Sequence, residues 1–169
     1  MKYFRLLYRL AHEQCYLIWI SNEKDHVILG DAGIIPIFRD VEAANAYAHR
    51  NGYKLESEEP VLHDLDWVVA WAIEPTMPIN CNEALAAWNL FSDVARSVHE
   101  RGDEFKALDS SLPIVYNKLF WGSNLPSLTP TDRRYDPEWS PEERKALARV
   151  LTAGLEMFRS ATSFFEQIE

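Results

Sequence analysis

The stretch Cys-Tyr-Leu-Ile-Trp-Ile, residues 15–20, is the strongest indication of the fold in this sequence. It is apolar at nearly every position, which is typical of a strand that is covered on both faces. Residues 3–10 have a similar β-rich character, and the short gap at residues 12–14 predicts a hairpin between the two segments. We therefore expect residues 15–20 to form a central strand of a small sheet.

Further short elements follow this hairpin. Residues 27–29 and 34–38 have the composition of strands, and two glycines and an aspartate between them indicate a turn. Asp40 is placed to cap a helix that Gly52 ends, and residues 53–56 are predicted to return as a strand. The first part of the chain is therefore predicted to be a mixed sheet with one crossing helix.

Helical patterns dominate after Pro60. Residues 62–73 fit either a helix or a strand, because their apolar residues satisfy both periods. Asn80 and Glu83 have the spacing of a capping box, and the apolar positions after them predict a helix as far as Gly102. This helix is expected to turn Asp93 towards solvent.

Two more helices are predicted towards the C-terminus. The first covers residues 113–121 and ends at Gly122, before a long loop that is rich in proline. The second has a strong start, because Ser140 and Glu143 form a capping box around Pro141, and its apolar stripe extends to Phe165.

These elements predict an α+β fold. We expect a small mixed, largely antiparallel N-terminal sheet with one crossing helix, followed by a helical C-terminal half packed on it. At 169 residues and 47% hydrophobic content, the chain is predicted to be one globular domain over residues 1–169, mainly sheet in 1–60 and mainly helical in 61–169.

The charge of the chain is strongly negative. The formal net charge is −9, and residues 61–110 contribute −6 of it, with three basic and nine acidic side chains. Contacts to phosphates need clustered Lys and Arg, so nucleic acid is not expected as a direct partner. An acidic field of this kind is suited to a basic protein partner, although solvated helix faces give the same composition.

The acidic side chains are densest in one short run. Five carboxylates fall within eleven residues that contain no Lys or Arg: Glu56, Glu58, Glu59, Asp64 and Asp66. Like charges repel each other and lower the stability of the compact state. We therefore predict that this run attracts a basic partner.

Catalytic and metal-binding motifs are absent from the sequence. His63 and Asp66 could serve a small metal-dependent enzyme, but their spacing spreads the ligands over a wide arc, and Asp64 is better placed as a helix cap. Cys15 and Cys81 lack CxxC spacing and the context of an activated thiol. We expect no catalytic residue, no cofactor and no metal site.

Targeting features are also missing. Arg5 and Arg9 interrupt the apolar residues at the start of the chain, and no later run has the length of a membrane span. The sequence therefore predicts a soluble protein of the reducing cytoplasm, without a membrane partner. Its oligomeric state is not indicated, and a structural or adaptor subunit remains an alternative.

One aromatic residue stands out as a binding candidate. Trp121 closes the helix predicted over residues 113–121 and is followed by a polar, proline-containing loop. A bulky side chain in this position can be presented outward as an anchor, although a helix end packed into the core is the alternative.

Several segments of the chain resemble bacterial immunity proteins that are encoded beside polymorphic toxins, including those of contact-dependent growth inhibition. The resemblance lies in Ile-Phe-Arg-Asp (37–40), Leu-Glu-Ser-Glu-Glu-Pro (55–60), Leu-His-Asp-Leu-Asp (62–66), Ala-Trp-Asn-Leu-Phe-Ser-Asp-Val-Ala (87–95) and Leu-Phe-Trp-Gly-Ser-Asn-Leu-Pro (119–126). It covers residues 35–130.

The resemblance implies a non-catalytic protein that binds the C-terminal toxin domain of an effector, often a basic nuclease, and blocks it. Its carboxylates would then stand in for the phosphates of nucleic acid. On this hypothesis the residues that bind the toxin are Glu56, Glu58, Glu59, Asp64, Asp66, Asp93 and Trp121.

Overall fold

A tight hairpin begins the fold. The structure, a computed structural model, describes residues 1–166. Strand β1 (Lys2–Leu10) pairs antiparallel with β2 (Glu13–Ser21) through a two-residue turn. Ala11 and His12 in this turn have φ of 53° and 64°, the left-handed conformation that matches the twist of a two-residue hairpin. The predicted hairpin is confirmed, with a shorter loop than expected.

Strand β2 lies inside a four-stranded sheet. Strand β3 (His26–Val27) is antiparallel to β2, and β5 (Leu62–Asp64) is parallel to β1, so the strand order is β3-β2-β1-β5. Leu17 and Ile18 point to opposite faces and are both buried. The prediction of a central strand covered on both faces is therefore confirmed.

Helix α1 (Val41–Arg50) covers one face of this sheet. The Asp40 side chain caps it by accepting a hydrogen bond from the Ala43 N–H at 2.7 Å. Tyr47 packs in a small core with Ile18 of β2. The predicted crossing helix is thus present, and its cap is the predicted residue.

A second sheet joins two segments that are distant in sequence. Strand β4 (Ile35–Ile37) pairs parallel with β6 (Thr162–Phe164). The prediction that the last helix carries a buried stripe to Phe165 was wrong at its end. Thr162 has extended backbone angles, its β-branched side chain suits a strand, and Phe165 is 37% exposed.

The strand predicted over residues 53–56 was also wrong in extent. Only one isolated bridge joins Tyr3 and Leu55, beside a hydrogen bond from the Glu56 N–H to the Tyr3 carbonyl. The chain then leaves β1, because Pro60 has no N–H for the ladder and the charged side chains before it favour solvent. It rejoins β1 at β5.

The remaining helices form the C-terminal half. Their bounds are α2 (Leu65–Ile73), α3 (Cys81–Ser97), α4 (Asp103–Ser111), α5 (Pro113–Gly122) and α6 (Pro141–Ala161), with single 3₁₀ turns at Asp31–Gly33 and His99–Gly102. The ambiguous residues 62–73 form a short strand followed by a helix. Helix α4 was not predicted, and α3 ends before the predicted Gly102. The capping box at Ser140 and Glu143 is confirmed.

Helix α3 is the centre of the main core. It contacts the sheet and all four neighbouring helices, and its Trp88 and Phe91 are fully buried. Helix α6 approaches it at Gly154, where an added Cβ would lie 2.1 Å from the Phe91 ring. The α+β fold class is confirmed. Every helix in the described part of the chain is too short or too polar to span a lipid bilayer.

Candidate functional site

A cleft of about 680 Å³ lies between α3 and the end of the sheet where β1 begins and β2 ends. The loop before β5 forms its outer wall. Its apolar surface comes mainly from Phe4, Trp19, Pro60 and Val61, with the buried Leu6 and Leu90 beneath them. Its carboxylates are Asp25, Glu58, Glu59 and Asp93. This volume falls within the range of ligand sites in proteins.

Two aromatic rings form the inner wall of the cleft. Phe4 of β1 and Trp19 of β2 are paired across the hairpin, so both side chains project from the face that meets α3. Their ring centroids are 5.5 Å apart with an interplanar angle of 49°. Both side chains are only partly buried, which leaves apolar surface available to a ligand.

Asp93 lies behind this aromatic wall. Its Oδ2 accepts a hydrogen bond from the Trp19 Nε1–H at 2.7 Å, and its Oδ1 pairs with Arg96. Only 9% of Asp93 is exposed, so the expectation that α3 turns it to solvent was wrong, because the sheet covers this part of the helix. Burial raises the pKa of Asp93 above its ordinary value, and the bonds from Trp19 and Arg96 oppose that shift.

The carboxylates at the mouth of the cleft differ from Asp93 in having no ion pair in the described residues. Glu58 and Glu59 are exposed, and within residues 1–166 neither side chain has a hydrogen bond or an ion pair. Asp25 accepts a hydrogen bond from the Asn22 N–H at 3.1 Å. The mouth of the cleft therefore carries negative charge that internal cations do not neutralise.

Two basic residues, Arg5 and His63, complete the lining. The Arg5 Nη1 donates to the Asn45 Oδ1 at 3.0 Å, while its Nε is buried without a partner in the described residues. His63 is partly buried, and desolvation lowers its pKa, which favours the neutral ring. Arg5 follows Phe4 on β1, so its side chain projects from the opposite face of the sheet, towards Asn45 of α1, and the cleft has an acidic character.

Asp64 and Asp66 are held by contacts within the chain. Asp64 accepts from the Trp67 N–H at 3.2 Å as the cap of α2 and pairs with the Arg9 Nη2 at 2.5 Å. Burial alone would raise the pKa of Asp64, but these hydrogen bonds outweigh it and hold the pKa below its usual value. Asp66 accepts hydrogen bonds from the backbone N–H groups of the β1–β2 turn at 2.7 and 2.9 Å.

Glu56 and Trp121 lie outside the cleft. Glu56 follows the bridge to β1, and its side chain does not line the cleft. Trp121 is 53% exposed on the outer face of α5, beside Ile114, which is 72% exposed, and Tyr135. Trp121 is therefore presented outward, on a surface distinct from the cleft.

The alternative metal site is not assembled. His63 lines the cleft, whereas the Asp66 carboxylate binds the β1–β2 turn. The part of the chain that the structure describes holds no group of three or more His, Cys, Asp or Glu residues arranged to bind a metal ion. Cys15 and Cys81 are buried, and desolvation raises the pKa of both thiols.

Sequence reasoning missed Phe4, Trp19 and Asp25 as parts of this site. The indication was present in the hairpin, since a two-residue turn at residues 11–12 fixes a register that places Phe4 opposite Trp19. The packing of β2 against α3 could not be predicted from the local sequence, because it depends on contacts between residues about seventy positions apart.

Comparisons with known proteins add the fold alone. No model of a known protein family matches this chain, and no curated protein matches it. Among solved structures, the chain is similar to "The crystal structure of SatS c-terminal domain in complex with bromine", with a TM-score of 0.56 and 14% sequence identity. The match covers 96% of this chain and 94% of that one, so the whole α+β arrangement occurs in another protein.

Proposed function

We propose that this chain is a non-catalytic immunity protein that binds a basic toxin domain and neutralises it. The observation that carries the proposal is that Glu58, Glu59 and Asp93, which were expected to bind a partner, line one cleft. A concave surface with apolar walls and unpaired negative charge at its mouth is suited to a basic segment of another protein.

The proposed binding mode uses two kinds of contact. The exposed carboxylates at the mouth attract the partner from a distance, and a field of this kind raises association rates by roughly 10 to 1000-fold at low salt. The aromatic wall then buries apolar parts of the partner. A standard interface of about 800 Å² on each protein is sufficient for a stable complex.

Inhibition follows from occupation of the toxin's own basic surface. A nuclease holds its substrate through Lys and Arg, and carboxylates that pair with those side chains exclude the phosphates of the nucleic acid. We place this event in the bacterial cytoplasm, where a toxin of contact-dependent growth inhibition reaches its target. The chain itself then needs no catalytic group.

The test is protection against a toxin. The proposal predicts a large effector gene beside the gene of this chain, and the C-terminal domain of that effector is expressed in a bacterial host, with or without the chain. We expect growth only with the chain, together with a complex that weakens steeply as salt rises. Death of the host in both cases, with no complex at low salt, would refute the proposal.

A structural or adaptor subunit is the second candidate. It is favoured by the exposed apolar face of α5, formed by Ile114 and Trp121. Sedimentation velocity over a concentration series distinguishes the two. Self-association that is lost in Trp121→Ser, but kept in Glu58→Gln, would favour the adaptor.

A further inference from the structure

The cleft combines three properties that select one type of side chain. It has an aromatic inner wall at Phe4 and Trp19, free carboxylates at Glu58 and Glu59, and a depth that reaches Leu90 of α3. A cation that is also flat and apolar on its faces satisfies all three. Among protein side chains, this description fits the guanidinium of arginine.

We infer that the cleft receives an arginine side chain of the protein partner, with the guanidinium between the Phe4–Trp19 pair and the carboxylates of Glu58 and Glu59. This inference rests on the proposed function, since it names the group by which the partner enters. The volume of about 680 Å³ exceeds one side chain, so residues that flank the arginine also enter and contact Pro60 and Val61 of the outer wall.

Asp93 has a positioning role in this arrangement. Its two oxygens already accept from the Trp19 Nε1–H and from Arg96, and only 9% of the residue is exposed, so the aromatic wall separates it from a ligand. The hydrogen bond to the indole fixes the ring in the orientation that forms the wall. Arg96 is held in turn by the backbone carbonyl of Asp25, at 2.7 Å from its Nε.

Lysine is a poorer occupant for physical reasons. Its ammonium is a compact, strongly hydrated charge that cannot lie flat against a ring or bind two carboxylate oxygens in one plane. Anions are excluded, because the lining carboxylates repel them and the guanidinium of Arg5 is bonded to Asn45 of α1, on the other face of the sheet.

The test uses blocked single amino acids as probes. N-acetyl-arginine amide, its lysine counterpart and its uncharged citrulline counterpart are titrated into the full chain at low salt. The indole N–H signal of Trp19, identified from a Trp19→Phe variant, is followed by NMR. We expect saturable shifts of this signal with the arginine probe, and affinity about three- to tenfold higher than for lysine.

Two double variants test whether Glu58 and Glu59 supply the negative charge that binds the arginine probe. Glu58→Gln/Glu59→Gln should weaken binding of the arginine probe by about tenfold, because two ion pairs are lost. Glu100→Gln/Glu156→Gln changes the net charge equally at exposed positions outside the cleft and should leave binding unchanged. Asp93→Asn, which keeps an acceptor for Trp19, should bind the probe nearly as well as the original chain.

The outcomes separate this inference from the proposed function. Equal affinity for arginine and lysine, or no shift of the Trp19 signal, would overturn the inference even if the chain protects cells from the toxin. Specific arginine binding would support the inference even if the chain neutralises no toxin. In that case only the proposed immunity function would be refuted.

Discussion

Two pairs of carboxylates lie on opposite sides of Val61 and are used in opposite ways. Asp64 and Asp66 bond to Arg9, to the start of α2 and to the β1–β2 turn, whereas Glu58 and Glu59 remain open at the mouth of the cleft. The sequence pattern predicts a partner-binding role for all four. A carboxylate next to a helix start meets free backbone N–H groups, but one in a loop that leaves the sheet does not.

Asp93 lines the cleft and is also bonded within the chain. Its replacement should have the largest effect on stability. Asp93→Ala removes the acceptor of the buried Trp19 N–H and the partner of Arg96, so we expect a loss of about 2 to 3 kcal/mol in the free energy of unfolding. Urea unfolding measures it. Asp93→Asn is the control and should lose less. Equal stability of Asp93→Ala and the original chain would show that this network is not structural.

Asp64 should affect stability more than partner binding. Asp64→Ala removes the cap of α2, which costs about 1 to 2 kcal/mol, while the cleft stays intact. Urea unfolding and partner affinity are measured on the same samples. Asp64→Ser, which can still cap the helix, should recover part of the loss. A weaker complex at unchanged stability would return Asp64 to the binding surface.

The pH dependence of stability should show that Asp64 is bonded in the folded state. The pKa of Asp64 is held below its ordinary value of 3.8, so its contribution to stability is present above that pH and is lost as pH falls through the lower, folded pKa. Urea midpoints from neutral pH downwards should therefore fall less in Asp64→Asn than in the original chain. Parallel curves for the two proteins would mean that ionisation of Asp64 does not contribute to stability.

Glu58 and Glu59 should have the smallest effect on stability. Because both are exposed and lack partners in the described residues, Glu58→Gln/Glu59→Gln should change the free energy of unfolding by less than about 0.5 kcal/mol. Any change at low salt should be stabilising, since like charges are removed. A clear destabilisation in urea would show that these carboxylates support the fold.

The elements that sequence reasoning predicted well are set by local chemistry. The two-sided strand at residues 15–20, the cap at Asp40 and the capping box at Ser140 and Glu143 depend on residues close in sequence. The parallel pairing of Ile35–Ile37 with Thr162–Phe164 and the course of the loop around Pro60 depend on distant partners, and both were missed.

The candidate site also has features that the local sequence predicts and features that depend on distant residues. The excess of negative charge at Glu58 and Glu59 is readable from composition, but whether a carboxylate is already bonded depends on what the fold brings to it. Asp93 shows this most clearly, because Trp19, which covers it, lies on β2, far away in sequence. Composition therefore predicted the chemistry of a candidate partner and could not predict which acidic groups are free to meet it.

Hydrogen–deuterium exchange on a complex with the proposed toxin domain tests the central claim most directly. We expect added protection in the loop at residues 58–61, at the start of β1 and in the middle of α3, which together enclose the cleft. Protection confined to α5 and the surface around Trp121, with the cleft unchanged, would contradict the account.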